Sequence, residues 1–587
     1  MRPSILTTPS QRHKQRKGAQ ALSFVRVYFA LFVIGAAFFW SIYSIVTTRA
    51  EEAPPGTTTL RIGHWQLETG VRDGLSKLAA EYQKLHPNVR IVQDAIPISV
   101  YPTWLTTNLL GGTAPDMVEV PRYHMPDDII LSFHNRYFLP ITPYITRPNP
   151  YNKGTNLEGV PLRKTFKDGM RNAYVKETQE YMSIPLSLFG ARVFYNKDLL
   201  KKLTGLNEAP SDYRAFLKVC AQIETQKNEK GQRYAAIAGS RDHLWAWEAM
   251  MFDPLTYPAV RRVDFNRDGV VSSHELFVAI KTDRMSLTFP AFKARYQMMR
   301  EVTNHFQVGY TGVPLGDAIF LFAQQRAVFL STGTWDARSL QTQANGKFEI
   351  GIMDFPRPAP SDPEYGSLME GPVYEEQEQG FPFAVTRNSK NAEIAVDFLL
   401  FLAAQKQNEE LNSIMGWIPS IQGAKIDSFL KPFEPHLEGV YTALMLRLGG
   451  ETRNKYQQVY SLYQSKQIDF DQLVKEFEPF YKTRGEADYL ESQRDWRRGI
   501  LINEQLLAAQ RARAMLGTGD EQKLRWIKYR AFTTSRQVLP EVEHSQQLAL
   551  IRNGPSLKST GPYEYSAELL DRVRRRIFGA HKEAAAR

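Results

Sequence analysis

The sequence predicts an α/β chain with at least two sheet-bearing lobes, and three observations predict it. Short runs with alternating apolar residues give way to longer runs with apolar residues every three or four positions. That strand-and-helix alternation recurs around Leu60–Val92, Ala318–Ser331 and Phe381–Leu402. At 587 residues the chain also exceeds what one hydrophobic core ordinarily supports, so two or more domains are expected.

Taken in order, the chain opens on a basic stretch. Residues 1–26 carry six Lys/Arg and no acid, and Val27–Val46 (VYFALFVIGAAFFWSIYSIV) follows, twenty residues without a charge. That length spans a bilayer as a helix. Arg12, Lys14, Arg16, Lys17 and Arg26 precede it, while Arg49, Glu51 and Glu52 follow. The positive-inside rule places the 1–26 tail in the cytoplasm and the bulk of the chain outside, giving a single-pass protein of the inner membrane. A cleaved leader is the competing reading, but the run is long for one and Thr48-Arg49-Ala50 is a poor cleavage site. No other stretch is long and apolar enough to span, which argues against a channel or permease.

After a Pro/Gly linker, Leu60, Ile62 and His64 alternate as a strand and Trp65 begins a loop. Val71, Leu75, Leu78, Ala79, Tyr82 and Leu85 recur at helical spacing before Pro87, and Val89–Val92 is a second strand. Such a unit predicts a right-handed crossover and a parallel sheet. Tyr101–Leu110 reads as a helix and DMVEV (Asp116–Val120) as a strand. The net charge of +11 resides at the two ends: residues 481–587 hold twenty Lys/Arg against thirteen Asp/Glu, and the body between is close to neutral. A nucleic-acid partner therefore has little support. The single Cys220, in the apolar-periodic stretch YRAFLKVCAQI, excludes an internal disulfide framework and reads as a core thiol.

Six blocks then occur in a fixed order: LRIGHW with EYQKLHPNVRIV, GTAPDMVEV, IPLSLFGARVFYNKDLLKKLTG, FLFAQQRAVFLSTGTWD, FEIGIMDFP, and the run from Gly380 to Ser420 ending SIMGWIPS. Together they resemble the carbohydrate-type extracellular solute-binding proteins of ABC transporters, over about residues 57–425. The resemblance implies a two-lobed periplasmic-binding-protein fold, spanning 57–428, that closes on a sugar or similar small solute and delivers it to ABC permease subunits.

A sugar offers apolar C–H faces and a ring of hydroxyls, so its site needs flat aromatic surfaces beside planar polar side chains. Loop aromatics in suitable places are Trp65, Tyr123, Trp245, Trp247, Trp335 and Trp417, with Gln66, Glu68, Glu119, Arg122 and Asp336 as polar neighbours. Trp65 and Tyr123 follow strands, where an α/β crevice opens; for Trp335 the resemblance implies a ligand-facing aromatic. Each of these residues has a structural alternative, in core packing, helix caps or ion pairs. Asp116 and Glu119 do not form a glycosidase pair, since residues three apart on a strand point to opposite faces. No nucleophile elbow, Walker loop, HExxH or GxGxxG after a strand is found.

One further motif stands out, VDFNRDGVVSSHEL (Val263–Leu276). Oxygen donors fall at Asp264, Asn266, Asp268, Ser272 and Glu275, with Gly269 at the turn and a backbone carbonyl from Val270. That is the twelve-residue EF-hand loop, 264–275, and it predicts a bound Ca2+. An outgoing helix, His274–Ala279, is expected, but Pro254 and Pro258 predict that no proper incoming helix forms. The loop therefore reads as a structural clip on an inserted segment and not as a sensor.

Beyond 428 the resemblance stops. Residues 429–587 read as a helical extension, with patterns at Tyr456–Tyr463, Phe470–Tyr481 and Gly499–Leu516, ending in the basic tract Arg572–Arg576. Solute capture for an importer is the first reading. The same module serving as a ligand sensor for a membrane partner is the second, and a carbohydrate-active enzyme the third.

Overall fold

The structure is a computed structural model that describes residues 56–553, except positions 69, 123, 126, 176–177, 268–270, 370–374, 376–377, 437–443, 445 and 447. The basic tail, the 27–46 segment and the Arg572–Arg576 tract lie outside the described residues. Among the described residues no helix is long and apolar enough to cross a membrane.

Contacts divide the chain into two compact units, the described part of the smaller being 56–60 and 83–92. Within it, the Thr58 N–H donates to the Asn88 carbonyl at 2.8 Å, and the Gln83 side chain accepts from the Ile91 N–H at 2.8 Å.

The principal strands form two sheets. The first takes β1 (Thr58–His64), β2 (Val89–Ala95), β3 (Met117–Glu119), β6 (Ile184–Phe189), β11 (Glu378–Val385) and β12 (Ile418–Pro419), in the order β12-β6-β11-β3-β1-β2. The second takes β7 (Ala191–Asn196), β8 (Ala235–Ala238), β9 (Ala327–Gly333) and β10 (Ile350–Met353), in the order β10-β7-β9-β8. A small ribbon joins β4 (Tyr174–Val175) to β5 (Glu180–Tyr181).

The recurring strand-helix pattern predicts parallel sheets, and the structure corrects this to mixed ones. β1 runs parallel to β3 and β8 parallel to β9, but β11 is antiparallel to β3 and β6, and β7 is antiparallel to β9 and β10. The reversals come where the chain changes sheet. Gly190 alone separates β6 in the first sheet from β7 in the second, and its carbonyl accepts from the Thr334 N–H at 3.0 Å.

Sixteen helices of seven residues or more complete the described chain: α1 (Val71–Leu85), α2 (Tyr101–Gly111), α3 (Asp127–Arg136), α4 (Lys197–Thr204), α5 (Tyr213–Thr225), α6 (Tyr257–Val263), α7 (Ser273–Lys281), α8 (Pro290–Thr303), α9 (Leu315–Ala323), α10 (Thr334–Ala344), α11 (Ala392–Leu402), α12 (Gln405–Met415), α13 (Gly450–Gln464), α14 (Phe470–Leu516), α15 (Gly519–Thr533) and α16 (Leu539–Asn553). α1 forms where the 3.6-residue pattern lies, burying Val71, Leu75, Leu78, Ala79 and Tyr82. In the first lobe Tyr101, Leu105, Val118, Phe133 and Phe138 form a core, and Cys220 is buried in the second.

The C-terminal helices are not a separate body. Val459, Tyr463, Phe470, Leu473, Phe477, Tyr481 and Tyr489 of α13 and α14 share one core with Leu276, Phe277, Met299 and Val302 of the second lobe. α14 runs unbroken for 47 residues, through Pro479 and through the polar stretch that separates two helical patterns in the sequence.

The expected absence of a helix before the 264–275 loop is also corrected. Leu244–Trp247, a π turn at Glu248–Phe252, a 3₁₀ turn at Asp253–Thr256 and α6 follow one another without a gap, so the loop has helices on both sides. Pro254 and Pro258 stand in the first turn of their segments, where a missing N–H costs nothing.

Candidate functional site

The C-terminal ends of β3 and β9 deliver their following loops to one region, and a cavity of about 540 Å³ opens there. The volume suits a small-molecule ligand. Its walls include His124 from beyond β3, the Arg241–Trp245 stretch and Glu248 from beyond β8, and Ser331, Thr332 and Trp335 from β9 and α10. Trp245 and Trp335 stack with ring centroids 6.0 Å apart and planes 26° apart, and Trp245 remains 40% exposed. Gly333 makes this possible: a Cβ there would stand 2.2 Å from the Trp335 ring. Behind the pair, Phe189 meets Trp335 at 5.7 Å and Trp417 at 5.0 Å, both edge-on.

Polar groups ring this aromatic floor. Ser240 Oγ and His243 Nδ1 are 3.0 Å apart, and burial pushes His243 down to about 4, so its imidazole is neutral at ordinary pH. His243 Nε2 and Ser331 Oγ are buried and make no hydrogen bond among the described residues. Glu248 accepts from the Tyr460 hydroxyl and lies 3.7 Å from Arg295.

The residues expected from sequence separate into groups. Trp335 and Trp245 line the cavity. Trp65 lies one ring behind His124, at 5.6 Å, and packs on Tyr101 at 5.2 Å. Gln66 and Glu119 bind each other: Gln66 Nε2 donates to Glu119 Oε1 at 2.5 Å and the Trp65 N–H to Glu119 Oε2 at 3.2 Å. Burial holds the Glu119 carboxyl well above the usual range, and the clamp fixes the Trp65 loop. Asp116, by contrast, accepts from the Arg61 N–H and from Ser389, so these two carboxylates serve different neighbours.

Arg122 donates to the Asn172 carbonyl at 2.8 Å, away from the cavity wall. Asp336 accepts from Thr332 Oγ1 at 2.5 Å, and burial raises its pKa. Glu68 is reached by water yet surrounded by protein, and that crowding, followed by the Asp336 charge, raises its pKa. Trp247 and Trp417 are enclosed by packing, Trp247 edge-on to Phe355 at 5.0 Å, and neither lines the cavity. Tyr123 lies outside the described residues.

The sequence reading missed one wall altogether. Tyr456, Gln457, Tyr460, Ser461 and Gln464, all on α13, line the same cavity. The available signal was Tyr456, Tyr460 and Tyr463 at i, i+4 and i+7, a spacing that reads equally well as a core stripe.

Two places have metal-ligand chemistry. In the 264–275 loop the hard oxygen donors suit Ca2+, with Asp268 and Val270 outside the described residues. Glu275 is buried: its Oε1 accepts from the N–H groups of Phe265 (3.0 Å) and Asn266 (3.3 Å), its Oε2 from the N–H and Oγ of Ser272 (both 2.9 Å). The loop's own amides thus meet the carboxylate at the twelfth position. Asp354, Glu375 and His436 hold their donor atoms within 4.8 Å of one another, but the buried Arg192 guanidinium already bridges Asp354 at 2.9 Å and Glu375 at 3.1 Å.

Comparison with known proteins bears on this geometry. Residues 68–409 match the family model for bacterial extracellular solute-binding proteins. A multiple sugar-binding protein of Streptococcus mutans is 22% identical over 290 residues, which cover 48% of this chain and 59% of the relative's length. Among solved structures, the sugar-binding protein MalE of Xanthomonas citri shares 15% identity with a TM-score of 0.51, covering 75% of this chain and 98% of that one. RafE, solved in complex with raffinose, shares 16% with a TM-score of 0.50, covering 73% and 99%. A protein of xylan utilization from Caldanaerobius polysaccharolyticus shares 17%, also at 0.50, covering 73% and 98%. These likenesses establish the two-lobed α/β fold.

Proposed function

Since the chain belongs to the bacterial extracellular solute-binding protein family, we propose that it captures a carbohydrate in the cavity at Trp245 and Trp335 and hands it to an ABC importer. The observation that carries this reading is the stacked indole pair edged by polar side chains. Indole faces take up the C–H faces of a sugar ring, while uncharged donors and acceptors at the rim take up its hydroxyls. The relatives' own ligands and names, raffinose and sugar binding among them, support the class. Capture works by lobe closure, the ligand stabilising the closed arrangement.

Two further parts belong to the proposal. The 27–46 segment anchors the chain in the inner membrane with the binding lobes outside, a reading supported by its length and by the charges flanking it. Asp264, Asn266, Asp268, the Val270 carbonyl, Ser272 and Glu275 hold a structural Ca2+; the donor set supports this, and binding requires Glu275 to exchange amide partners for the ion.

Thermal melting of the purified full-length chain against raffinose, maltotriose and xylotriose tests the sugar reading. A ligand that binds the folded state raises the midpoint by mass action, and Trp335→Ala removes that rise. A panel that leaves the midpoint unmoved sinks it.

A further inference from the structure

We propose that helix α13 of the C-terminal extension, outside the segment that matches the family, is part of the solute site: Gln457 and Ser461 hydrogen-bond the hydroxyls of a neutral sugar stacked on Trp335 and Trp245. The inference rests on the proposed sugar-binding role and assigns residues to it.

Geometry carries it. Gln457 is exposed and Ser461 half-exposed, and both line the cavity that Trp245 and Trp335 line. Their helix is held by buried polar contacts and not by a loose tether. Tyr456 and Tyr296 hydroxyls are 3.0 Å apart, and the Tyr463 hydroxyl donates to the Tyr296 carbonyl at 2.7 Å. Arg300 donates to the Tyr463 carbonyl at 2.6 Å and the Tyr310 hydroxyl to the Gln464 carbonyl at 3.2 Å. Tyr460 donates to Glu248, itself a wall residue.

α13 therefore keeps its place against α8 and the Trp245 segment, and its polar side chains are pre-positioned, which lowers the entropic cost of using them. The chemistry points to the ligand class. Gln457 and Ser461 are uncharged and offer both donors and acceptors, as a hydroxyl ring requires. The wall holds the acids Asp242 and Glu248 against Arg241, a balance that disfavours an anionic sugar.

The test uses the full-length chain and isothermal titration with raffinose, maltotriose and xylotriose. Where a sugar binds, the double variant Gln457→Ala, Ser461→Ala is expected to weaken it by about tenfold or more. Gln458→Ala, exposed on the same helix but not part of the wall, should leave affinity unchanged. A second measurement reads contact directly. Cys220 is buried, so Gln457→Cys introduces the accessible thiol, and bound sugar should slow its alkylation by iodoacetamide. Unchanged affinity in the double variant and no protection of the new thiol, with Trp335→Ala still abolishing binding, overturns the inference and leaves the sugar-binding reading standing. No binding of any sugar overturns that reading and this inference with it.

Discussion

Trp335 owes its position to the residue before it but one. A Cβ on Gly333 would occupy the indole's space at 2.2 Å, so Gly333→Ala should swing the ring off Trp245 and cost at least tenfold in sugar affinity, read from titration of tryptophan fluorescence. His274 supplies a second prediction at this scale. Burial, then the neighbouring His544, pushes it from the ordinary 6.5 to about 4 in the folded chain. Between those values the unfolded chain takes up a proton there that the folded chain refuses. Its share of stability is whole above pH 6.5 and lost as pH falls toward 4, at up to about 1.4 kcal/mol per pH unit. The urea midpoint of wild type should therefore drop further between pH 7.5 and 5.0 than that of His274→Gln; equal drops would refute it. Trp335 was singled out in the sequence because the family resemblance implies a ligand-facing aromatic there, and the structure brings it to the cavity wall. Gln66 and Glu119 were not separable from ligand contacts, since a polar pair clamping an aromatic loop has the same composition as one that grips a hydroxyl.

The 264–275 loop and the C-terminal helices depend on each other. His274 Nε2 lies 2.7 Å from Ser492 Oγ, Phe277 stacks on Tyr489 at 5.6 Å, and the Asn266 side chain donates to Glu543 of α16 at 3.2 Å. The 264–275 loop and α7 thus pack against α14 and α16. Calcium is expected to raise the melting midpoint of the full-length chain and EGTA to lower it, with Glu275→Gln abolishing the difference. An EGTA-insensitive midpoint would rule the ion out. The crossing of α7 and α14 rests on Gly485, where an added Cβ would stand 2.6 Å from the Phe277 ring. Gly485→Val should cost about 1–3 kcal/mol by overpacking, measurable in urea. The loop motif and the outgoing helix were legible from spacing, and in the structure Ser272 caps that helix. The incoming helix was not, because proline reads as a breaker unless one knows that it begins its turn. Nor was the union of extension and lobe: an amphipathic helix displays its apolar face in sequence but not what covers it.

For the whole molecule, the strand order, the crossing at Gly190 and the cavity between β3 and β9 set up a two-lobed clamp. The blocks that resemble a known family made that architecture legible, while the mixed strand directions depended on which sheet each strand joined. Charge should bias the clamp. Glu68, beyond β1, and Asp336, at the start of α10, are near enough for the Asp336 charge to raise the Glu68 pKa, and burial raises Asp336 as well. Below their raised pKa values both carboxyls are neutral and do not oppose the approach of the two segments. As pH rises past those values both ionise and repel, favouring separation. Sugar-free protein should therefore show a radius of gyration by small-angle X-ray scattering that grows as pH rises through the titration of the pair. Glu68→Gln should flatten that dependence, since one charge of the pair is gone. If capture proceeds by the proposed lobe closure, the same substitution should also reduce the pH dependence of sugar affinity over that range. A radius that does not change with pH, or one whose change survives Glu68→Gln, would show that the two acids do not govern the opening.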